Sequence, residues 1–590
     1  MAIDAVQDRP TRPATTPAPR VVTRAAPLAS ETAGRASSTV PRKPGWTITA
    51  YALAALYLAP LVAVVAAATG DSAGLWGHLA ETVLPRYVSN TLTLMAGVGV
   101  VTLVFGVASA WIVTRYTFTG SRALSWLLLL PAAVPAYIIA YAYTDFFEYA
   151  GPVQGALRST FGFESARDYW FPEIRSMGGA MLVMGAVLYP YVYMMSRAAF
   201  VLTPASLFET AMVSKRNLFW SVALPLARPA IIAGLALVLM ETISDFGTVE
   251  FFAIETLTLG IFNVWLGQNN LAAAAQIAII AFLFIAVLLW IERRARSNRQ
   301  FLNTTKRSAR LAPRPLRGWR AAVGIGVCLV PIIVGFVVPV GVLLGFVLGG
   351  TSLSFTPAMT TATINSLLLS GTVAVVVMAA ALFFAVIATY LGNRALHFTA
   401  TATAFGYAFP GTILAIGVVT AAGFIDRQVG AASSTFFGVT TSGLISSGFA
   451  LVVIACVVRF HAVGYGAMTS GIGRLPRNMM NASRQLGRGF SESLRFVIVP
   501  LLGKSLIAGG LLVFVDVMKE LPMTLLLRPF NFETLPTFVY QYAKDELLEE
   551  AALPALLIVF AGIIPILIMN AALERLAAAK PASSGARRET

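Results

Sequence analysis

The sequence predicts an all-α polytopic membrane protein, with about twelve transmembrane helices arranged as two tandem six-helix repeats. Three observations predict it. First, 57% of the 590 residues are hydrophobic and 12% are charged, with a mean hydropathy of +0.76; a soluble chain is about 25% charged. Second, twelve segments are long and apolar enough to cross roughly 30 Å of hydrocarbon, which takes about 20 residues of helix. Third, residues recur at an offset of 275: Asn90 as Asn365, Pro135 as Pro410, Pro225 as Pro500, Gly234 as Gly509, Glu241 as Asp516 and Asp245 as Glu520. An offset shared by such separated positions means that one membrane unit was duplicated and fused, a common construction in transporters.

Taken in order, residues 1–45 are rich in Pro, Ala, Thr and Arg and lack the apolar core of a signal peptide, so they read as a disordered tail. The first repeat occupies 46–291, with spans near 47–69, 91–114, 124–147, 179–202, 226–248 and 271–291. A basic linker, 292–320, separates it from the second repeat at 321–575. There the spans lie near 321–347, 364–391, 397–422, 443–465, 504–526 and 552–573, and residues 576–590 form a second tail. Pro135 and Pro410 are expected to break or kink the third and ninth spans, and irregular helices often line a transport path. Two stretches outside the spans, 148–178 and 527–551, are long enough for short helices. The first carries Tyr149, Phe161, Tyr169, Trp170 and Phe171, which suit an interfacial aromatic belt or a docking surface.

The formal charge of +16 is a topology signal. The linker holds nine Arg and one Lys against Glu292, the loop near 475–495 carries Arg474, Arg477, Arg484, Arg488 and Arg495, and the C-terminal tail carries Arg575, Lys580, Arg587 and Arg588. Loops on the opposite side are mixed or acidic, as at Asp545, Glu546, Glu549 and Glu550. That asymmetry places the N-terminus in the cytoplasm of a multi-pass protein in the lipid bilayer, and it argues against nucleic acid as a partner. Cys328 and Cys456 each sit inside an apolar span and fit no disulfide or zinc spacing. His78, His397 and His461 are scattered, so no metal site is assigned.

Two polar loops recur at equivalent places. Residues 203–225 read T-P-A-S-L-F-E-T-A-M-V-S-K-R-N-L-F-W-S-V-A-L-P, and residues 475–500 read L-P-R-N-M-M-N-A-S-R-Q-L-G-R-G-F-S-E-S-L-R-F-V-I-V-P. Pro204 precedes Glu209, and Pro476 precedes Asn481, by five residues. Thr203 as N-cap with Pro204 at the first helical position predicts a short amphipathic helix, followed by a turn and a proline that opens the next span.

These loops resemble the EAA loop of ATP-binding-cassette importer permeases, E-A-A-x-x-x-G with thirteen residues to the proline of L-P. In that family the loop forms a coupling helix that docks on an ATPase subunit. The second copy keeps Ala482, Gly487 and Pro500 but has Asn481 in place of Glu. The first keeps Glu209, Ala211 and Pro225, has Lys215 at the glycine position and is three residues shorter, so its turn is expected to be rebuilt. The stretches M-E-T-I-S-D-F-G-T-V-E-F-F (240–252) and V-D-V-M-K-E-L-P-M-T-L-L-L-R-P-F-N-F-E-T-L (515–535) resemble those of fused ferric-iron permeases served by periplasmic binding proteins. The resemblance covers about 47–575. It implies a type I importer architecture in a bacterial inner membrane, alternating access, a periplasmic iron-binding protein and two copies of a cytoplasmic ATPase. ATP and magnesium would belong to that ATPase. The G-K-S at 503–505 has Ile498 where a P-loop needs its leading glycine, so no cofactor and no enzymatic reaction is expected of this chain. Thiamine, polyamine and phosphonate permeases share the scaffold; an ion-coupled secondary transporter is a further alternative, one that needs no coupling loops.

The residues themselves leave the acidic pairs open to several readings. Glu241 and Asp245 are four apart, as are Asp516 and Glu520, which predicts one helix face for each pair. Intramembrane carboxylates are costly and point to function, and their oxygens suit a hard cation. Local pairing, since Lys519 lies three residues from Asp516, or a role at an outer gate would explain them equally. Tyr137, Tyr141, Tyr143, Tyr189, Tyr191 and Tyr193 would offer phenolic oxygens to a passing ion or pack with satisfied hydroxyls.

Overall fold

The computed structural model describes residues 44–297, 312–349, 356–391, 394–437, 443, 448–476 and 478–578. The tail before residue 44, residues 298–311 of the linker and the C-terminal tail after 578 lie outside these residues. Apart from one two-residue bridge, where Tyr116–Thr117 pairs in parallel with Arg314–Pro315, the regular structure is helical. Eleven of the described helices are long and apolar enough to span a membrane, and a bent helix pair makes a twelfth.

The repeat is visible element by element. The first repeat contributes Pro44–Ala68, Leu84–Arg115, the bent pair Ser121–Ala133 with Ala136–Phe161, Met177–Leu202, Phe219–Ser244 and Leu271–Glu292. The second contributes Trp319–Leu348, Pro357–Tyr390, Gly411–Thr435, Phe449–Ile472, Phe490–Met518 and Leu548–Leu567. As expected, both prolines mark breaks. A 3₁₀ turn over Leu130–Ala133 precedes Pro135, and the pair bends by 93° there. Another 3₁₀ turn, Thr403–Ala408, precedes Pro410. Proline has no N–H to donate and its ring clashes with the preceding turn, so the helix stops and restarts.

Within each repeat the second and fourth spans pack along their length. The first span of each repeat, however, leans on the other repeat. Pro44–Ala68 lies against Gly411–Phe437, and Val338–Leu348 lies against Ala136–Phe147 and the twelfth span. A Cβ on Gly417 would come within 2.2 Å of the Pro60 carbonyl oxygen, so glycine is what lets these two helices meet backbone to backbone. Two large apolar cores result, and each draws residues from both repeats.

The echo of Asn90 in Asn365 also acquires a cause. Asn90 donates from Nδ2 to the Glu255 carbonyl at 3.0 Å, and Asn365 donates to the Glu533 carbonyl at 2.9 Å. The next residue repeats the pattern: the Thr91 hydroxyl accepts from Leu257 N at 3.0 Å, and the Ser366 hydroxyl accepts from Leu535 N at 2.7 Å. In both halves the second span thus ties down the chain that follows the fifth span.

Candidate functional site

The fifth and eleventh spans end sooner than the apolar runs suggest, at Ser244 and at Met518. The chain then breaks and opens a short helix, Gly247–Phe251 in the first repeat and Pro522–Leu527 in the second. Asp245 and Glu520 therefore do not share a helix face with Glu241 and Asp516, as a four-residue spacing predicts; they stand in the breaks. Their job there is explicit. Asp245 Oδ1 accepts from Thr248 N at 3.0 Å and Val249 N at 3.2 Å, while Oδ2 accepts from the Thr248 hydroxyl at 3.1 Å. Glu520 Oε1 accepts from Met523 N, and Oε2 accepts from both Thr524 N and its hydroxyl, all at 3.1 Å. A helix start leaves N–H groups without partners, and an anion there satisfies them and complements the helix dipole. Each repeat thus interrupts its fifth span and caps the restart with a carboxylate.

Between the two breaks lies a cavity of about 150 Å³, lined by residues of both repeats. Glu241, Asp245, Asp516 and Glu520 all reach it, together with Pro135, Tyr137, Tyr191, Tyr407, Arg459 and Lys519. The two acidic pairs thus share one cavity. Four carboxylates against one arginine and one lysine leave a formal charge of −2. Local pairing is present as well: Lys519 Nζ lies 3.4 Å from Asp516 Oδ1, and Glu241 accepts from the Tyr407 hydroxyl at 2.9 Å. Among the described residues no group of three or more His, Cys, Asp or Glu is placed to hold a metal ion. Pro410 shapes the ninth span from outside the cavity wall.

The tyrosines divide. Tyr143 donates to the Val334 carbonyl at 2.6 Å, Tyr189 to the Leu128 carbonyl at 2.8 Å and Tyr193 to the Ser125 carbonyl at 3.0 Å, so these three pack with satisfied hydroxyls. Tyr137 and Tyr191 face the cavity, and the buried Tyr137 hydroxyl bonds to no described residue. Arg459 and Tyr407 were not singled out from the sequence. The signal for Arg459 was present, because an arginine inside the apolar run L-V-V-I-A-C-V-V-R-F is an intramembrane charge.

At the other end of the molecule the paired loops form short helices, Ala205–Val213 and Met479–Gln485. The cap differs from expectation by one residue. Pro204 is the N-cap of the first, and Thr203 closes the preceding span by donating to the Ala199 carbonyl at 2.9 Å. Ala205, Phe208 and Ala211 anchor one face of the first helix, while Met480 and Ser483 anchor the second. Glu209, Lys215, Asn481, Ala482 and Gly487 are exposed. The turn after the first helix is not rebuilt: Lys215 adopts φ 52°, and Gly487 adopts φ 85° at the matching place. A lysine accepts the left-handed conformation that glycine takes freely, at about 1–2 kcal/mol. The three-residue difference appears beyond that turn. Phe490–Ser493 adds one helical turn ahead of a π-helical stretch, Leu494–Ile498, that matches Phe219–Ala223 at the 275 offset. Pro225 and Pro500 follow, each at the second position of the α-helical part of its span.

Comparison with known proteins agrees with this architecture. Residues 102–297 match the family described as binding-protein-dependent transport system inner membrane component. The Fe(3+)-transport system permease protein of Haemophilus influenzae is 22% identical over 82% of this chain and 90% of its own length. The ferric transport system permease protein of Actinobacillus pleuropneumoniae is 22% identical over 79% of this chain and 68% of its own. A permease protein of Salmonella choleraesuis named for 2-aminoethylphosphonate transport, 28% identical, is matched over 89% of its own length by 42% of this chain, which is the relation expected of a single unit to a fused pair. With an inner-membrane transport domain matched in its first half and similarity to ferric transport permeases running through both halves, the chain resembles the membrane permease component of a binding-protein-dependent importer.

Proposed function

We propose that the chain carries ferric iron inward across the bacterial inner membrane. The observation that carries this reading is the cavity between the two helix breaks, where four carboxylates outnumber two cationic side chains. Such a surplus concentrates a cation electrostatically. Because each carboxylate already has a partner among helix N–H groups, Tyr407 and Lys519, the four attract the ion without forming a cage that would retain it. The names of the Haemophilus and Actinobacillus relatives, which are matched through both halves, support iron over thiamine or polyamine, and a phosphonate, named for the Salmonella relative, is the alternative cargo.

In this reading a periplasmic binding protein delivers the cargo to the end of the molecule that holds the two breaks. Two copies of a separate ATPase, which bind ATP and magnesium, dock under residues 203–217 and 475–489. Val213 and Leu486 are each 84% exposed beside those helices, as apolar anchors for a partner would be. ATP binding draws the loops together and hydrolysis resets them, so the ligands select between two conformations. The N-terminus and the basic linker then lie in the cytoplasm. The test is uptake of ⁵⁵Fe and growth of a deletion strain on limiting iron against limiting thiamine. A thiamine-specific defect would reject the iron assignment, and failure to co-purify with any ATPase would favour a secondary transporter.

A further inference from the structure

We infer that the cavity between the two breaks binds its cargo through an oxyanion group, with Arg459 and Tyr137 as the donors, so that iron passes as a carboxylate or phosphate complex. The inference rests on the permease reading above and specifies the chemical form of the cargo. It follows from which hydrogen-bonding groups of the cavity wall are engaged and which are open.

Each acceptor has at least one protein partner. Asp245 takes three hydrogen bonds from the helix it caps, and Glu520 takes three from its own. Glu241 takes the Tyr407 hydroxyl, and Asp516 takes Lys519. Two buried donors have no hydrogen-bond partner among the described residues. Arg459 is 8% exposed and lines the cavity, yet its Nε and Nη1 hydrogen-bond to no described residue. Its nearest acid, Glu520 Oε1, stands 3.9 Å from Nη1, beyond hydrogen-bond reach. Tyr137, 5% exposed, brings a second hydroxyl without a partner. A guanidinium held inside the protein with open N–H groups is costly, and its planar fork matches a carboxylate or phosphate. A bare cation offers these N–H and O–H groups no acceptor and would leave both without a partner.

Arg459 belongs to the second repeat alone, since the 275 offset places Met184 at the matching position. The donors therefore sit on opposite walls, Tyr137 from the first repeat and Arg459 from the second. A ligand that bridges them would read the approach of the two halves, which is the motion a permease must make.

The test is equilibrium binding of [¹⁴C]citrate to the detergent-purified full chain, with and without ferric iron, beside ⁵⁵Fe uptake in cells. Wild type, Arg459→Gln, Arg459→Lys, Tyr137→Phe and the double variant Arg459→Gln with Glu520→Gln are compared. Arg459→Gln is expected to weaken citrate binding at least ten-fold and Tyr137→Phe about five-fold, the worth of roughly one hydrogen bond. Arg459→Lys keeps the charge and recovers binding in part. If Arg459 served only to neutralise Glu520, the double variant would bind as the wild type does, which overturns the inference. Binding indifferent to Arg459→Gln and Tyr137→Phe, or no citrate binding by the wild type, also overturns it. Iron-dependent binding identifies a chelate as the source of the oxyanion, and equal binding without iron rejects the chelate form. If the wild type restores no iron uptake, the iron reading of the permease fails, and the citrate measurement still decides the donor pair.

Discussion

Replacing Asp245 separates a capping role from a cargo-binding role. Asp245→Ala removes an acceptor from Thr248 N, Val249 N and the Thr248 hydroxyl. Loss of a helix cap costs about 0.5–2 kcal/mol. The Thr248 hydroxyl is fully buried, and leaving it without a partner adds about 1–3 kcal/mol. Together these destabilise the restart by about 2–4 kcal/mol locally. Asp245→Asn keeps one oxygen acceptor at the same distance and forfeits the charge and the second acceptor, which the Thr248 hydroxyl uses, so it should lose about half as much. The assay is amide hydrogen exchange of the purified chain, read over 247–251, because exchange reports local opening. A loss of about 2 kcal/mol corresponds to roughly thirty-fold faster exchange at Thr248 and Val249, with the order Ala, then Asn, then wild type. Equal exchange in all three would refute the capping argument. So would Asn behaving like Ala, since that would mean the charge, and not the acceptor geometry, holds the restart. Uptake completes the test: if Asp245→Asn with Glu520→Gln transports iron unchanged, the acidic pairs are structural and the cation-attracting role falls.

Three further outcomes follow from other places in the fold. Lys215→Gly should stabilise the turn after the first loop helix by about 0.5–1 kcal/mol, the relief of a left-handed lysine less the added freedom of glycine in the unfolded chain; Gly487→Ala should cost about 1 kcal/mol, and thermal unfolding of the purified chain reads both. Ser366→Ala takes the acceptor from the buried Leu535 N, so exchange at that amide should rise in line with about 1–3 kcal/mol; an unchanged rate would dismiss the tie between second span and following loop. Val213→Asp with Leu486→Asp leaves the buried anchors Phe208 and Met480 in place and should abolish co-purification of the ATPase without lowering the melting temperature.

The sequence made the spans, the repeat and the two proline breaks legible, because each depends on composition or on a residue with one strong local preference. Apolar length announces a span, and proline announces a break. What it obscured has a common origin in tertiary contact. The apolar runs 226–248 and 504–526 continue past the true helix ends at Ser244 and Met518, since the short helices beyond the breaks are apolar too. Hydropathy therefore saw one element where the backbone makes two, and the helical four-residue rule failed for Asp245 and Glu520. The leaning of each first span on the opposite repeat was equally hidden, because an all-round apolar helix does not state its partner. Lys215 misled in the other direction: its type argued against a turn that the surrounding chain imposes regardless.

Duplication was conservative about one thing and permissive about another. The scaffold of the site, a broken fifth span with a carboxylate cap, is the same in both halves at the 275 offset. The donors around it are not. Where the second repeat has Tyr407, Arg459 and Lys519, the first has Ala132, Met184 and Ser244; where the first has Tyr137, the second has Thr412. All of these except Thr412 line the cavity, so the difference falls on the lining itself. A symmetric cavity made of two identical walls would have paired carboxylate against carboxylate and repelled itself. Adding cationic and phenolic donors mainly to one wall relieves that repulsion, as Lys519 does at Asp516 and Tyr407 does at Glu241. It also leaves buried donors on both walls without a hydrogen-bond partner among the described residues, the Tyr137 hydroxyl on the first and Arg459 Nε and Nη1 on the second. Symmetry in the backbone therefore supplies the two breaks, and the loss of symmetry in the side chains gives the two walls of the cavity different chemistry.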